Sequence, residues 1–191
     1  MEFIPQSIPE VLVIEPKVHG DERGYFIETF RQDEFEDALG YKVNFIQDNE
    51  SKSFKGVLRG LHFQLAPHAQ SKLVCVIEGA VLDVAVDLRR GSPSFARHVA
   101  VELSDNNKKQ MFIPRGFAHG FVVLTDTATF AYKVDNYYSP EHDRGLAFDD
   151  VHLNIDWQLT KQQLLLSDKD TQRPTLTELT ECFDYNNNYY D

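Results

Sequence analysis

One stretch of the sequence places a histidine and an arginine in an apolar run that has the character of a strand. It spans residues 56–64 and reads Gly-Val-Leu-Arg-Gly-Leu-His-Phe-Gln. Histidine can accept a proton near neutral pH, so His62 is a candidate general base. Ionisable groups are rarely buried without a partner or a task. The alternative is a core histidine satisfied by a neighbour, because perturbed groups are often structural.

Three further side chains with useful chemistry lie on predicted strands or at the entrance to one. Lys72 shares parity with Val74 and Val76, and Tyr132 shares parity with apolar neighbours, so both are expected to point into a barrel. His119 lies between two glycines that permit close approach of the backbone. The structural alternatives are a lysine that reaches water, a packed tyrosine and a loop histidine.

The spacing of Arg59 and His62 raises a geometric question. The two residues are three apart, so a regular strand would direct them to opposite faces. Both reach one cavity only if a bulge lies near Gly60, or if the arginine acts from a strand end or from another subunit. The sequence leaves these alternatives open.

A metal site is a rival interpretation of the histidines. His62, His68 and His119 are available, with Glu78 nearby in sequence. However, the sequence has no His-x-His, and the facial-triad spacing of a β-barrel metal site is missing. It also lacks a nucleophile elbow, a phosphate-binding loop and a dinucleotide glycine motif. We therefore do not expect a metal site.

Composition limits the class of protein. The 191 residues include 42% hydrophobic and 12% aromatic residues, which argues against disorder, and the formal net charge of −11 argues against nucleic acid as a partner. The two cysteines lack CxxC spacing and predict no disulfide framework. No signal peptide and no apolar run of about 20 residues is evident, so we expect a cytoplasmic protein that does not bind membranes.

The pattern of strands and turns predicts an all-β fold. A short helix is expected over 31–39, where Phe35, Ala38 and Leu39 share a face, and a second over 158–166. Short strands separated by turn residues favour an antiparallel double sheet of the jelly-roll kind, in a single domain over 1–191 with its core in about 2–175. The polar tail 184–191 is expected to fray. Strands are predicted at 11–14, 25–30, 43–47, 57–65, 72–78, 80–88, 98–103, 110–113, 118–124 and 128–134.

Eight short motifs, in order and with fitting spacing over about residues 2–175, together resemble the dTDP-4-dehydrorhamnose 3,5-epimerase family. The resemblance implies a cupin-type jelly roll, a homodimer and an enzyme without metal or cofactor. It implies the substrate dTDP-4-dehydro-6-deoxy-D-glucose, inverted at C3 and C5 to give the L-rhamnose precursor. The motifs are 20–24 (Gly-Asp-Glu-Arg-Gly), 47–49 (Gln-Asp-Asn), 58–64 (Leu-Arg-Gly-Leu-His-Phe-Gln), 71–74 (Ser-Lys-Leu-Val), 113–121 (Ile-Pro-Arg-Gly-Phe-Ala-His-Gly-Phe), 132–133 (Tyr-Lys), 136–138 (Asn-Tyr-Tyr) and 166–170 (Leu-Ser-Asp-Lys-Asp).

The resemblance also implies a role for each matching residue. His62 matches the general base with Asp170 as its partner, Tyr132 matches the general acid, and Lys72 matches the group that stabilises the enolate oxygen. Asp143 stands where relatives usually carry glutamate, which puts that substrate contact in doubt. The implied substrate-binding residues are Arg23, Phe26, Glu28, Gln47, Asn49, Arg59, His119, Tyr138, Asp143 and Lys169.

Three alternatives to the 3,5-epimerase remain at this point. A single-site epimerase would invert only C3 or only C5 of a related ketosugar. A metal-dependent cupin would need a metal for its activity. A non-catalytic cupin would bind the sugar nucleotide without exchanging its protons.

Overall fold

Antiparallel strands dominate residues 1–190, the part of the chain that the computed structural model describes. Fifteen strands, one α-helix and two short 3-10 turns follow each other along the chain. The strands are β1 (Glu2–Pro5), β2 (Leu12–Glu15), β3 (Val18–Asp21), β4 (Gly24–Ile27), β5 (Gln47–Phe54), β6 (Leu58–Gln64), β7 (Lys72–Glu78), β8 (Ala80–Asp87), β9 (Arg89–Arg90), β10 (His98–Ser104), β11 (Gln110–Ile113), β12 (Phe117–Val123), β13 (Thr127–Val134), β14 (Asp143–Gly145) and β15 (Phe183–Asp184). The helix is α1 (Gln32–Leu39), and the 3-10 turns are Lys161–Gln163 and Asp170–Gln172.

Two sheets form the body of the fold. One has six strands in the order β1-β2-β11-β7-β13-β5, and the other has five in the order β10-β8-β12-β6-β14. Apolar side chains of both sheets share one buried cluster, which includes Val74 and Phe130 from the first and Val81, Ala85 and Phe121 from the second. The two layers make the cupin-type antiparallel jelly roll that the sequence predicts, since alternate residues of each strand face the common core.

Strand β8 is buried on both faces. Leu82 and Val84 pack under the C-terminal segment, whereas Val81 and Ala85 belong to the core between the sheets. Asp83 shares the inner face and is fully buried. The alternation of apolar and acidic residues in this strand therefore marks two interior surfaces, and the acidic positions do not face solvent.

The C-terminal segment covers the outer face of the five-stranded sheet. Leu153, Trp157 and Leu179 pack against strands β6 and β8, and the indole of Trp157 donates a hydrogen bond of 2.9 Å to the Phe148 carbonyl. The helix predicted at 158–166 is wrong, because only a 3-10 turn forms there. Leu165 instead lies extended beside β6, where its amide donates to Gly56 and its carbonyl accepts from Leu58.

The first helix is confirmed and is held by aromatic packing. It begins at Gln32 and ends at Leu39, and Gly40 closes it with φ 76° while its amide donates to the Glu36 carbonyl. Phe35 is buried, and its ring lies 5.1 Å from that of Phe112 in an edge-on arrangement. The helix therefore packs on the face of the six-stranded sheet that carries Phe112, opposite the core between the sheets.

The strand predicted at 43–47 is misplaced. Regular pairing begins only at Gln47 and continues to Phe54 as β5, a polar strand whose side chains alternate in exposure. It is an edge strand and pairs along its whole length with β13. Backbone hydrogen bonds to β13 determine this element, so its polar composition conceals it from a search for apolar runs.

The tail differs from the expected fraying. Phe183–Asp184 pairs with β9, and the Tyr190 hydroxyl accepts a 3.0 Å hydrogen bond from the Arg115 amide and lies 2.8 Å from the Ser71 hydroxyl. The Arg115 guanidinium donates to the Tyr189 carbonyl. The side chain of Tyr190 and the backbone carbonyl of Tyr189 anchor a segment whose composition is otherwise polar. The last position of the predicted tail, 191, lies outside the described residues.

Candidate active site

A cavity of about 680 Å³ lies between the two sheets and the segment that follows Leu165. Strands β5, β6, β7, β12, β13 and β14 all contribute side chains to its wall. The structure brings the residues with expected catalytic roles, and most of those with expected binding roles, to this one place. The expected residues that line it are His62, Lys72, Tyr132, Asp170, Asn49, Arg59, His119, Tyr138, Asp143 and Lys169.

His62 and Asp170 form a close pair at the wall of the cavity. The imidazole Nε2 lies 2.5 Å from Oδ1 of Asp170, and Ser167 donates its hydroxyl to Oδ2 at 2.9 Å. Burial acts to raise the pKa of Asp170, but hydrogen bonds from His62 and Ser167 and the charge of Arg173 together hold it below its ordinary value. An ionised carboxylate only accepts, so Nε2 carries a hydrogen and Nδ1 is free to take a proton.

A bulge places Arg59 and His62 on the same cavity. His119 is opposite His62 and Phe121 is opposite Arg59, so two residues of β6 face the single residue between His119 and Phe121 on β12. Gly60 has φ 140°, and a Cβ there would lie 2.5 Å from the backbone of the facing glycine. The close approach of the two strands therefore requires glycine. Arg59 lines the cavity of its own chain, and its Nε donates to the Ser53 hydroxyl at 3.1 Å.

His119 belongs to a second histidine–carboxylate pair that the sequence did not reveal. Its Nε2 lies 2.9 Å from Oδ2 of Asp83, and both side chains are buried. Burial lowers the pKa of His119, while Asp83 acts in the opposite direction. The signal for Asp83 was present as an acid within an apolar strand, because such a residue needs a buried partner.

Lys72 and Tyr132 lie on adjacent strands of the six-stranded sheet and both reach the cavity. Burial lowers the pKa of Lys72 to about 8, although Asp83 and Asp143 favour its charged form. Burial raises the pKa of Tyr132, and Arg59 acts in the opposite direction. At neutral pH the first side chain is thus a cation and the second a protonated phenol. The inward direction expected from parity is confirmed for both.

Asp143 is held by two cations on the same wall. Lys169 donates a hydrogen bond to its Oδ2, and a terminal nitrogen of Arg173 lies 3.4 Å from the same oxygen. Arg173 also lines the cavity and was not among the expected residues. Tyr138 lies at the rim with more than half of its surface exposed.

Four expected binding residues lie outside the cavity wall. Arg23 and Phe26 belong to the separate hairpin β3–β4, and Glu28 follows it. Phe26 is 71% exposed, and Arg23 forms an ion pair with the neighbouring Asp21. Gln47 is one step removed, because its amide donates to Asn49, which does line the cavity.

Within residues 1–190, no group of three or more His, Cys, Asp or Glu side chains is arranged to hold a metal ion. In the same part of the chain, no helix has the length and apolar character needed to cross a bilayer.

A histidine–carboxylate pair, a phenol and an ammonium group line one β-walled cavity, and groups of these types can transfer protons. Comparison with known proteins places the chain among the sugar-nucleotide epimerases. A family model described as dTDP-4-dehydrorhamnose 3,5-epimerase matches residues 5–178. The chain belongs to this family.

Individual relatives agree over nearly the whole length. The dTDP-4-dehydrorhamnose 3,5-epimerase of Shigella flexneri is 57% identical over 170 residues, which cover 89% of this chain and 93% of that protein. The Legionella pneumophila enzyme RmlC, whose crystal structure is in complex with dTDP-4-keto-L-rhamnose, is 48% identical in sequence. Its structure superposes with a TM-score of 0.92, and the match covers 96% of this chain and 98% of that chain. The 3'-monoepimerase ChmJ from Streptomyces bikiniensis, in complex with dTDP-quinovose, is 35% identical in sequence, with a TM-score of 0.85. This match covers 91% of this chain and 87% of that chain.

Proposed function

We propose that this enzyme converts dTDP-4-dehydro-6-deoxy-D-glucose to dTDP-4-dehydro-L-rhamnose by epimerisation at C3 and C5, a step of dTDP-L-rhamnose biosynthesis. The observation that carries the proposal is the His62–Asp170 pair, which faces the same cavity as Lys72 and Tyr132. The names of the relatives support it, as does the keto-sugar product bound to the Legionella pneumophila enzyme.

His62 acts as the base in this proposal. Carbons 3 and 5 flank the C4 ketone, so removal of a proton from either gives an enolate whose charge lies on the ketone oxygen. Nδ1 of His62 accepts the proton, and Asp170 stabilises the imidazolium through Nε2–H. A fixed tautomer and a charged partner are what a general base needs near neutral pH.

Lys72 supplies positive charge where the enolate develops. With its pKa lowered to about 8, the amine is still mostly an ammonium at neutral pH. A cation that is already in place stabilises the developing oxyanion without reorganisation. The acidic net charge of the chain is locally offset in this way, because Arg59, Lys169 and Arg173 line the same cavity.

Tyr132 returns a proton to the opposite face of the carbon. Its phenol stays protonated, since burial raises its pKa. An acid on one face and a base on the other produce inversion, whereas a single group on one face would restore the starting configuration. The apolar Leu58, Phe121 and Phe130 exclude water that would otherwise compete for protons.

We also propose a homodimer, which the sequence resemblance implies. The hairpin β3–β4 exposes Tyr25 and Phe26, which are 59% and 71% accessible in the single chain. Exposed aromatic residues on a projecting hairpin favour a protein partner. Arg23 and Glu28 would reach a dTDP-sugar only through such an association, because neither lines the cavity of its own chain. A cytoplasmic location remains a prediction.

Deuterium incorporation tests the proposed reaction. Purified protein is incubated with dTDP-4-dehydro-6-deoxy-D-glucose in D₂O, and the product is analysed by NMR at C3 and C5. We expect deuterium at both carbons. Exchange at one carbon alone would favour the single-site epimerase, and binding without exchange would favour the non-catalytic cupin. Stoichiometric metal together with loss of activity on chelation would favour the metal-dependent cupin.

A further inference from the structure

Arg173 is a buried cation between two carboxylates of the cavity wall. Its side chain is 11% exposed, with a terminal nitrogen 3.4 Å from Oδ2 of Asp143 and Nε 4.0 Å from Oδ1 of Asp170. Among residues 1–190, its Nε is the buried side-chain nitrogen or oxygen atom that lacks a hydrogen-bond partner. A buried polar group in this state calls for an explanation, and its two carboxylate neighbours suggest one.

The fold makes room for this side chain opposite the catalytic histidine. Gly145 is the residue of β14 that pairs with His62. A Cβ at Gly145 would lie 2.3 Å from Nε of Arg173 and 2.6 Å from its Cδ. Any larger residue would therefore displace the arginine from the wall. The position of the Arg173 side chain thus depends on glycine at 145.

We propose that Arg173 is a positioning residue that fixes the carboxylates of Asp143 and Asp170 and keeps the partner of His62 ionised. The effect on catalysis rests on the proposed function, whereas the effect on the carboxylates does not. Arg173 reaches Asp143 from the side, and Lys169 reaches the same oxygen from the rim. The shorter acid at position 143 is thus held against the wall by two cations.

Electrostatics support the geometry. Burial acts to raise the pKa of Asp170, and the opposing contributions come from His62, from Ser167 and from the charge of Arg173. Removing the charge of Arg173 disfavours the carboxylate of Asp170, and the loss of a nearby positive charge also favours the imidazolium of the adjacent His62. Both changes move the acid-side titration of the coupled pair to higher pH. The charged and titratable groups that line the cavity with this pair are Glu50, Arg59, Lys72, His119, Tyr132, Tyr138, Asp143, Lys169 and Arg173.

The experiment compares two variants of Arg173 with a control. Arg173→Gln removes the charge, and Arg173→Lys keeps it. Arg144→Gln is the matched control, because Arg144 adjoins Asp143 in sequence while its guanidinium pairs with Glu181 outside the cavity wall. The acid-side midpoint of the pair is measured without substrate, from the NMR titration of the His62 ring in the full chain. His62→Asn identifies the resonance, and thermal unfolding reports whether each variant folds.

We expect the midpoint to rise by about one pH unit in R173Q and to stay with the wild type in R173K and R144Q. The acid limb of kcat/KM for deuterium incorporation moves by the same amount. An unchanged midpoint in folded R173Q would overturn the proposal. If R173Q does not fold, the R173K variant tests the proposal. A shift of its midpoint by about one pH unit, despite the retained positive charge, would contradict the proposal. Absence of exchange in the wild type would refute the proposed function while leaving the NMR result to be judged alone.

Discussion

Two histidine–carboxylate pairs lie side by side in this fold, and they differ in access to the cavity. His62 on β6 and His119 on β12 are opposite each other in register, and each approaches a carboxylate through Nε2. The side chain of His62 is 34% exposed, whereas that of His119 is 8% exposed and its partner Asp83 is fully buried. The same two functional groups therefore occupy an accessible and an enclosed environment.

This difference in access suits His62 to its proposed role as a base and His119 to that of a fixed polar group. A base must take up a proton and release it, so one of its nitrogens needs access to the substrate and to the proton acceptor that follows. His119 is enclosed, and burial lowers its pKa so that the neutral form is favoured. It can present a constant hydrogen-bonding group to a ligand, but a buried imidazolium at that position would be costly.

The largest expected effect comes from exchanging each histidine for asparagine. His62→Asn removes the base, so we expect deuterium incorporation to fall by about 10³-fold or more. His119→Asn keeps a polar side chain and leaves the base in place, so exchange at both carbons should persist with a loss of about tenfold. Rates of incorporation at C3 and C5 are measured separately for each variant. Equal losses in the two variants would contradict the distinction between them.

The two carboxylates should separate activity from stability. Asp170→Asn removes the charge that orients His62, so we expect kcat to fall by about 10²-fold, in line with the loss of one positioned proton-transfer partner. Asp83→Asn breaks a fully buried pair, and its main effect should be a loss of about 3 kcal/mol of unfolding free energy.

Urea unfolding and single-turnover exchange on the same preparations measure the two effects. Asp168→Asn is the control, because Asp168 is exposed and adjoins Lys169 without lining the cavity. A stable D83N protein with the activity defect expected of D170N would break the comparison.

The smallest effect concerns pH. Burial lowers the pKa of Lys72 to about 8, so its ammonium is present below that pH and is lost above it. If the charged form stabilises the enolate, activity should fall about tenfold between pH 7 and pH 9, since deprotonation follows a single midpoint. The rate of deuterium incorporation, measured over this pH range, checks the expected fall. The Lys72→Met variant should not show this fall. Activity that rises above pH 8 would show that the neutral amine is the working form.

The sequence predicts the layers of the fold better than its edges. Apolar alternation located most of the inner strands, and parity directed Lys72 and Tyr132 to the interior correctly. Strand β5 escaped because backbone pairing with β13 determines it, and its residues are polar. The prediction of a helix at 158–166 was wrong because hydrogen bonds with Gly56 and Leu58 hold Leu165 in an extended conformation. Neither contact is visible in local composition.

The site shows the same limit. His62 was recognisable alone, but its partner Asp170 lies 108 residues away in sequence and was found only through the family resemblance. Asp83 and Arg173 remained undetected because their functions depend on which side chains meet across the sheets. A single sequence gives the type of each group, whereas their meeting in space depends on register and on the long C-terminal segment.

The bulge in β6 makes the length of that strand a property of the active site. Strand β6 has two residues between Arg59 and His62, whereas the facing part of β12 has only one. Without the bulge, the same three-residue spacing would turn one of the two side chains away from the cavity, because a shift of register by one residue reverses the faces of a strand. A substitution that regularised the strand at Gly60 would therefore cost the cavity either its arginine or its imidazole, although neither of those residues had changed.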